Sequence, residues 1–491
     1  MTFEFPKKRS FWISTARYLA ATFLFNLPFV YARHEISMRV AEINLDYLVL
    51  VLLYIVAGRF IAGAGFFLVY VVELLKIFDK IYFFTQEDLA YAIRFAFQVQ
   101  TGTLLGGVSG ALLFCALFTY LWLKILPRRD GLIRGLWAIA PSAILMVLLL
   151  SVDTLKGYNP ITRSGGQRWG THLVGETFYR TSMYIVASLR YDRPPGTPIP
   201  SASDVLRPLK GDNRYAKLNI VQVLVESMGL QVNAGEGVRE FALFHSPEIL
   251  ERYRLTEGSV PFHGPTVPGQ LRELCGLQFG VRVDDSVAAQ SDRCLPKQLR
   301  SLGYETEGIH GYTGSMFHRS IWYRDFGFQK SVFLEQMKNL PGMHLCEGAF
   351  EGICDADIAQ LIHTQLLASR GGNRPLFVHW MTLNSHLPVE EDGAPAYSCP
   401  SGYAADVCHQ LGYIHLALES LVKIAADPTI PPTAFVIVGD HAPPYIEGEK
   451  RNLYDQAEVP YLLLQPKSAM EATSVSGHLE MPRQKGGSLR P

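Results

Sequence analysis

The stretch FVIVGDHAPP, residues 435–444, decides how the rest of the chain is interpreted. Its four leading apolar residues predict a buried strand, and its two prolines forbid continuation as a central strand. Asp440 and His441 therefore lie at the carboxyl end of a sheet strand, where open α/β sheets place their ligand sites. A carboxylate beside an imidazole suits a divalent metal. A turn in which Asp440 caps a helix is the alternative, so other residues must decide.

Two further apolar runs end in polar side chains in the same way. Residues 218–225 (LNIVQVLV) lead into Glu226, and residues 375–383 (PLFVHWMTL) lead into Asn-Ser-His386. From about residue 215, short apolar runs alternate with helical segments, which predicts an α/β domain with a sheet covered on both faces. Three strand ends with potential metal or phosphate ligands at one edge predict a site.

A candidate nucleophile occurs in HGPTVPGQLRELCGL, residues 263–277, where Thr266 precedes a helix-like segment beginning near Pro268. A hydroxyl at a helix N-terminus lies near backbone N–H groups and the positive end of the helix dipole. Beside a metal it can ionise and attack phosphorus. The position also suits a threonine that merely caps the helix, so this stretch alone leaves both interpretations open.

Composition indicates more than one domain and a membrane segment. The chain has 491 residues, which is long for a single domain. Lys+Arg and Asp+Glu are both 45, and this zero net charge argues against a nucleic-acid partner. Hydrophobic residues make up 48% of the chain, with mean hydropathy +0.11, and the excess lies in the first third. That distribution is typical of a membrane protein.

The first third contains apolar runs that we interpret as five membrane-spanning helices, the second of them short. These runs cover residues 11–31, 45–58, 60–78, 101–126 and 133–151. No small-residue cleavage site follows the first run, which favours an anchor over a cleaved signal. Lys7, Lys8, Arg9, Arg59 and the loop 127–130 carry the positive charge, so the positive-inside rule places them in the cytoplasm and the C-terminal half outside.

Six of the seven cysteines fall in the second half of the chain. An even set in one region predicts disulfides and an oxidising compartment, in agreement with the expected orientation. Pairing of near neighbours would give Cys275–Cys294, Cys346–Cys354 and Cys399–Cys408. The sequence alone does not fix the pairing, and reduced thiols in a cytosolic domain are the alternative.

Four of these candidates together resemble the lipoteichoic acid synthase and phosphoglycerol transferase family of the alkaline phosphatase/sulfatase superfamily. The matching residues are Glu226 in VLVESMG, Thr266 in HGPTVPGQLRELCGL, and Asp440 with His441 in VIVGDH. The resemblance implies that Glu226, Asp440 and His441 bind one divalent cation, Mn²⁺ in the first instance and Zn²⁺ or Mg²⁺ as alternatives. Thr266 would be both a metal ligand and the nucleophile.

The segment 303–328 (GYETEGIHGYTGSMFHRSIWYRDFGF) extends the resemblance. His310, Phe317 and Arg319 stand at the spacings of the histidine, aromatic residue and arginine that hold the phosphoglycerol headgroup in the family. His386 in NSHLP matches a further substrate histidine. The family's aromatic residue is often Trp, whereas Phe317 has no indole N–H to donate.

The resemblance implies an α-helical transmembrane domain of about five helices followed by an α/β alkaline phosphatase/sulfatase-like domain. We expect a transmembrane domain over 1–151, a juxtamembrane connector over 152–210, a catalytic domain over 211–467 and a disordered tail over 468–491. Within the connector, residues 171–190 predict a helix that lies on the bilayer surface or packs on the globular domain.

By the same resemblance, the expected reaction moves a phosphoglycerol headgroup from a membrane phospholipid, phosphatidylglycerol in the first instance, through phosphothreonine to a cell-envelope glycan or glycolipid. The enzyme would be a multi-pass protein of the bacterial inner membrane with its catalytic domain in the periplasm. It would bind the lipid bilayer and no nucleic acid.

Three alternatives stay open at this point. Phosphoethanolamine transfer to lipid A or another envelope glycan fits the six cysteines and the nearby Trp322 and Asp325, although those transferases usually carry a second histidine soon after the Asp-His pair, and none occurs between His441 and His478. A sulfatase or phosphodiesterase is disfavoured because no C/S-x-P-S/A-R signature occurs. An inactive regulator would be expected to lack a ligand or the nucleophile.

Overall fold

The computed structural model describes residues 9–35, 43–81, 101–128, 131–155, 174–175, 196–207, 218–232, 239–283, 285–389 and 394–468. Lys7, Lys8, most of the helix predicted over 171–190 and nearly all of the tail predicted over 468–491 lie outside these residues. Within the predicted helix, Val174–Gly175 is described as a short strand that pairs with Ile43–Asn44. The helix prediction is therefore wrong at these two residues, because their backbone groups pair with another segment.

Each of the five apolar runs of the first third contains helix. The helices are α1 Arg9–Phe23, α2 Leu27–Glu35, α3 Asp46–Ala57, α4 Arg59–Ile81, α5 Thr101–Ile125 and α6 Leu132–Leu155, with a 3₁₀ turn at Leu24–Asn26. Among the described residues, Gly106–Ile125 and Leu132–Val152 are the two stretches long and apolar enough to cross a membrane by length and composition. The twelve residues of α3 rise only about 18 Å, less than the roughly 30 Å of a bilayer core.

Several helix termini lie together at one end of the bundle. Gly58 has a φ of 96°, which turns the chain sharply between α3 and α4. Beside this turn, the Arg59 guanidinium donates to the carbonyl of Leu123, near the end of α5, at 2.8 Å. The Arg134 guanidinium, near the start of α6, donates to the Ser10 hydroxyl at 2.9 Å. The start of α1, the α3–α4 turn and the α5–α6 junction therefore share one end.

The opposite end of the bundle is polar and contacts the second domain. The backbone N–H of Asn44 donates to the side-chain oxygen of Asn26 at 2.5 Å, and the Asn44 amide donates to Glu73 at 3.1 Å. Further along α4, the carbonyl of Ile81 accepts a hydrogen bond from Arg451 at 3.4 Å. Helix α4 thus ends against the second half of the chain.

The second half is built on a seven-stranded sheet. Its strands are β1 Asn219–Val225, β2 Tyr253–Pro261, β3 Glu305–His310, β4 Lys330–Val332, β5 Leu376–Met381, β6 Thr433–Gly439 and β7 Glu458–Pro466. Their spatial order is β2-β7-β6-β1-β5-β3-β4. Strands β6, β1, β5, β3 and β4 pair in parallel, whereas β7 pairs antiparallel with both neighbours. The three strands predicted from the sequence are β1, β5 and β6.

The centre of the sheet is covered on both faces. Every residue of β1, β5 and β6 is buried, and successive side chains of a strand point to opposite faces. The covering helices are α7 Pro247–Arg252, α8 Thr266–Cys275, α9 Leu295–Ser301, α10 Arg319–Asp325, α11 Asp355–Ala368 and α12 Ala405–Ala426, with one-turn helices at Asp285–Ala288, Leu334–Met337 and Gly448–Arg451. Short 3₁₀ segments occupy Ala202–Leu206, Arg239–His245, Ser291–Arg293 and Met316–His318, and the remaining two-residue strands are Thr197–Pro198, Leu277–Gln278, Leu345–Cys346 and Gly352–Ile353.

All three predicted disulfides are confirmed. The structure contains Cys275–Cys294, Cys346–Cys354 and Cys399–Cys408. The first joins the last residue of α8 to the residue before α9, and the second closes the small hairpin Leu345–Cys346/Gly352–Ile353. Cys115, in α5, is buried and free.

Candidate metal and nucleophile site

The neighbouring strands β1 and β6 bring three potential metal ligands together. Val225 pairs with Gly439 at the ends of these strands, so the residues that follow leave the sheet side by side. Glu226, Asp440 and His441 are buried, and their ligand atoms all lie within 4.8 Å of one another. Predicted from separate parts of the sequence, the three residues form one cluster at the carboxyl edge of the sheet.

Ser227 holds the two carboxylates of this cluster in place. Its φ of 53° lies in the left-handed region, which is uncommon for a residue with a side chain. In this conformation its backbone N–H donates to Asp440 at 2.7 Å, and its hydroxyl donates to Glu226 at 2.9 Å. The hydroxyl of Thr382 accepts from the backbone N–H of Glu226 at 2.8 Å. The left-handed conformation of Ser227 thus orients the candidate ligands Asp440 and Glu226.

The candidate nucleophile lies against the same cluster. Thr266 is the first residue of α8, and its hydroxyl donates to Glu226 Oε2 at 3.0 Å. One turn later, a Cβ on Gly269 would lie 2.9 Å from the Cβ of Asp440 and 3.1 Å from its carbonyl oxygen. The missing side chain at Gly269 therefore lets the first turn of α8 approach the end of β6.

The electrostatics of the cluster fit a bound cation. Burial and the charge of Glu226 raise the pKa of Asp440. Burial alone would lower the pKa of His441, but the charges of Asp440 and Glu226 raise it to about 9. Asp440 Oδ2 is buried without a hydrogen-bond partner among the described residues. Two carboxylates, one hydroxyl and one imidazole form a donor set suited to a divalent metal, and its positive charge would compensate the buried carboxylates.

Arg319 and His310 lie beside this cluster. Arg319 is the first residue of α10, and its buried guanidinium donates to Gln270 at 3.1 Å. Burial lowers the pKa of Arg319, while Tyr323, Glu226 and other acidic groups oppose this effect. His310 ends β3, with Nδ1 lying 3.1 Å from a backbone carbonyl. Burial and the charge of Arg319 lower the pKa of His310 to about 3, so the imidazole is neutral.

Phe317 and His386 complete the predicted set. Phe317 is half-buried in a left-handed conformation, and the Arg319 guanidinium lies 5.6 Å from its ring centroid. His386 follows β5, and the Phe350 ring packs edge-on against its imidazole at 4.6 Å. Burial lowers the pKa of His386, although the charge of Glu226 opposes this effect. All eight predicted side chains therefore occupy one region, and their functional roles stay predictions.

Sequence reasoning missed a buried ion pair that contacts the backbone of the site at Gly439 and Asp440. Arg272 Nε lies 2.7 Å from a carboxylate oxygen of Glu273, and both side chains are almost fully buried. The same guanidinium donates to the backbone carbonyls of Gly439 at 2.6 Å and Asp440 at 3.2 Å. Their position on the helix that begins at Thr266 is the signal that could have identified this pair.

Asp355 was also missed, and it fixes the loop that carries His386. Its carboxylate accepts hydrogen bonds from the backbone N–H groups of Leu383 at 3.0 Å and Asn384 at 2.8 Å. Asp355 directly follows Cys354, so the second disulfide adjoins this loop. In the sequence, Asp355 resembles an ordinary acidic residue in the first turn of a helix.

Comparisons with known proteins found one family model and several similar solved structures. A family model described as Sulfatase matches residues 219–480, which is more than half of the chain. Lipoteichoic acid synthase LtaP from Listeria monocytogenes is 15% identical, with a TM-score of 0.39 over 54% of this chain and 70% of that chain. Phosphoglycerol transferase GacH from Streptococcus pyogenes is 15% identical, with a TM-score of 0.36 over 51% and 69%. Lipooligosaccharide phosphoethanolamine transferase EptA from Neisseria meningitidis is 13% identical, with a TM-score of 0.48 over 94% and 89%. No curated protein matches the chain.

Proposed function

Because the chain belongs to the sulfatase family of the alkaline phosphatase/sulfatase superfamily, we propose that it is a metal-dependent phosphotransferase. It moves a phosphoglycerol headgroup from a membrane phospholipid to a cell-envelope glycan or glycolipid, and Thr266 carries the headgroup between the two steps. The observation that carries this proposal is the Thr266 hydroxyl, which starts α8 and donates to Glu226 at 3.0 Å within the three-ligand cluster.

The identity of the nucleophile favours transfer of a phosphoryl group over sulfate-ester hydrolysis. Sulfatases carry Cys or Ser at the start of a C/S-x-P-S/A-R signature. Residues 266–270 read TVPGQ, with threonine in the first position, proline in the third, and glycine and glutamine in the last two. A threonine hydroxyl cannot be converted to the formylglycine of sulfatases, but it can act directly as a nucleophile.

Glu226, Thr266, Asp440 and His441 would hold one divalent cation, with Mn²⁺ as the first candidate and Zn²⁺ or Mg²⁺ as alternatives. When bound, the cation lowers the pKa of a coordinated hydroxyl and neutralises charge on phosphate oxygens. Glu226 accepts the hydrogen bond of the Thr266 hydroxyl, so this carboxylate is placed to take its proton.

In the first step, Thr266 Oγ attacks phosphorus and the bond from phosphorus to the diacylglycerol oxygen breaks. The proton lost by Thr266 ends on the diacylglycerol hydroxyl. The hydrogen bond places Glu226 to receive it first, and the imidazole of His386, whose charge acts on Glu226, is the group that can deliver it. In the second step, an acceptor hydroxyl attacks phosphothreonine and Thr266 regains a proton. Arg319 offers a planar fork of N–H donors to the phosphate oxygens.

Phosphoglycerol is favoured over phosphoethanolamine as the transferred group. An ethanolamine ammonium would require a carboxylate or an aromatic cage. Trp322 is 2% exposed, and its indole N–H donates to the carbonyl of Phe317, so its ring is not free to form a cage. Asp325 lies 3.5 Å from Arg324, on the outside of α10. By contrast, the neutral His310 donates from Nδ1 to the Met381 carbonyl, which leaves Nε2 to accept from a glycerol hydroxyl, and Arg319 donates to phosphate.

Part of the proposal is that the helical bundle crosses the membrane five times, with the catalytic domain outside. Arg59 and Arg134 lie at the end of the bundle where α1 starts, as the positive-inside rule requires for a cytoplasmic face. The opposite end of α4 contacts Arg451 of the catalytic domain. Three disulfides in that domain fit an oxidising compartment such as the periplasm. The domain boundaries near residues 151, 210 and 467 are part of this proposal.

The proposal is tested by supplying phosphatidylglycerol and phosphatidylethanolamine separately to the reconstituted full-length protein. We expect diacylglycerol release from phosphatidylglycerol and a phosphoglycerol adduct on the Thr266 peptide by mass spectrometry. Thr266→Val, which keeps the shape of the side chain but removes its hydroxyl, should lose both signals. Release from phosphatidylethanolamine alone would refute the headgroup assignment. Release by Thr266→Val at the wild-type rate would refute the nucleophile.

A further inference from the structure

A chain of buried polar side chains runs beneath the site from Arg319 to Glu273. None of its intermediate members belongs to the predicted metal or substrate set. The members are Arg319, Gln270, His379, Gln222, Ser203 and Glu273. His379, in the middle of β5, is fully buried and has no role in the mechanism described above. Its place in the chain of hydrogen bonds indicates a role for His379.

The two ends of this chain fix the direction of every hydrogen bond in it. An arginine side chain only donates hydrogen bonds, and an ionised carboxylate only accepts them. Arg319 Nε lies 3.1 Å from one amide atom of Gln270, so that atom must be the oxygen. The other amide atom of Gln270 is therefore the NH₂ group. It donates to the hydroxyl of Tyr323 at 2.7 Å and to Nε2 of His379 at 3.1 Å.

The same argument from the opposite end gives the tautomer of His379. Ser203 donates to Glu273 Oε2 at 2.7 Å, so its hydroxyl oxygen accepts from the NH₂ group of Gln222 at 2.6 Å. The oxygen of Gln222 then faces His379 Nδ1 at 2.8 Å and accepts from it. Both directions agree that His379 carries its proton on Nδ1 and accepts at Nε2. Burial and the charge of Arg319 lower the pKa of His379 to about 3, in keeping with a neutral ring.

We propose that His379 is a positioning residue, which holds the Gln270 amide with its oxygen toward Arg319 and thereby orients the guanidinium for a phosphate group. This inference rests on the proposed function for the role of Arg319. If Nε2 of His379 carried a proton, it would repel the NH₂ group of Gln270. The amide would then turn over and present N–H donors to Arg319, which has no acceptor for them.

Two substitutions separate the orienting contact from the rest of the imidazole. His379→Gln places an amide oxygen near the Nε2 position and retains an acceptor for Gln270. His379→Asn retains a donor near the Nδ1 position for Gln222 but removes the acceptor. Each variant keeps one of the two hydrogen bonds of His379. A purely structural role therefore predicts that the two variants lose phosphate affinity to a similar extent. The positioning role predicts a difference between them.

The experiment measures inorganic phosphate as a competitive inhibitor of diacylglycerol release and, separately, its effect on the melting temperature of the detergent-solubilised full chain. We expect His379→Asn to raise the inhibition constant for phosphate and the KM for phosphatidylglycerol by about tenfold, because the turned amide of Gln270 would no longer accept from the charged Arg319 guanidinium. His379→Gln should stay near the wild type. Equal values for the two variants, whether both normal or both weakened, would overturn the proposal.

Gln270→Met provides a second test, because it removes the amide on which His379 is proposed to act. Methionine fills a similar volume without an amide, so it should weaken phosphate binding about as much as His379→Asn. If His379 acts through Gln270, the double variant that combines Gln270→Met with His379→Asn should bind phosphate no more weakly than Gln270→Met alone. Fully additive losses would overturn the proposal. Absence of turnover in the wild type would instead refute the proposed function, and phosphate stabilisation would still test the role of His379.

Discussion

The buried pair formed by Arg272 and Glu273 supports a quantitative prediction about stability. Arg272 is 2% exposed and Glu273 is fully buried, with Nε and Oε1 separated by 2.7 Å. Arg272→Met should leave the Glu273 charge buried without a counter-charge, which costs about 3–5 kcal/mol. For a domain of this size, about 2–4 °C of melting temperature is lost per kcal/mol, so we expect a decrease of roughly 6–20 °C.

The pH dependence of this loss has a defined sign. Burial opposes ionisation of Glu273, but Arg272 and the hydroxyls of Ser203 and Ser201 lower its pKa below the ordinary value of 4.5. A carboxyl whose pKa is lower in the folded state stabilises the fold above its unfolded pKa and loses that contribution as the pH falls. The stabilisation by Glu273 in the wild type is therefore complete at neutral pH and lost on acidification below about 4.5. The difference between the wild type and Arg272→Met should be largest at neutral pH and decrease on acidification.

The assay is thermal unfolding of the full chain in detergent, followed by intrinsic fluorescence. Arg324→Met is the matched control, because Arg324 is 75% exposed and its pair with Asp325 spans 3.5 Å; exposed pairs of this kind contribute little. Glu273→Gln in the Arg272→Met background should recover part of the loss, since an amide needs no counter-charge. A shift for Arg272→Met no larger than that for Arg324→Met would refute the reasoning.

Three further outcomes are expected. Asp440→Asn should lose bound metal by elemental analysis together with diacylglycerol release, and full metal occupancy with normal turnover would contradict the ligand assignment. Replacing Cys275 and Cys294 by serine opens a disulfide loop of sequence separation 19 and should lower the free energy of unfolding by about 3 kcal/mol at 25 °C; an unchanged denaturation midpoint would contradict this. A reporter fused after Pro491 should be active only if it functions outside the cytoplasm, and activity of a cytoplasm-specific reporter would reverse the orientation.

The metal and nucleophile candidates could be predicted because each occupies a position with a visible local signal. Glu226 directly follows the apolar run that ends at Val225, and Asp440 follows Val438 and Gly439; parallel strands deliver such residues to one edge. The disulfide pairs followed from short sequence separation, since a small hairpin or a helix end brings near neighbours within bonding distance. These features depend on a few consecutive residues, so the sequence records them directly.

The supporting network could not be predicted because its meaning depends on distant partners. His379 stands inside an apolar run and resembles one polar residue in a buried strand. Its role appears only when Gln222 and Gln270, each more than 100 residues away, take up defined amide orientations. The membrane domain shows the same limit. The apolar runs predicted helices, including the short run at 45–58 that forms α3 Asp46–Ala57, but hydropathy did not reveal that Val174–Gly175 pairs with Ile43–Asn44.

The contact between Gly269 and Asp440 has a consequence for how sequence variation in this protein should be interpreted. Gly269 has no side chain, yet an added methyl would meet the Cβ and backbone of Asp440 and push the candidate nucleophile Thr266 away from the candidate metal ligands. A survey of tolerated substitutions would therefore find Gly269 as intolerant of change as Thr266. Gly269 would then be mistaken for a residue that takes part in the chemistry. Conversely, one Gly269→Ala event could silence an otherwise intact enzyme. A relative that retains every reactive side chain but carries alanine at this position is therefore expected to be inactive.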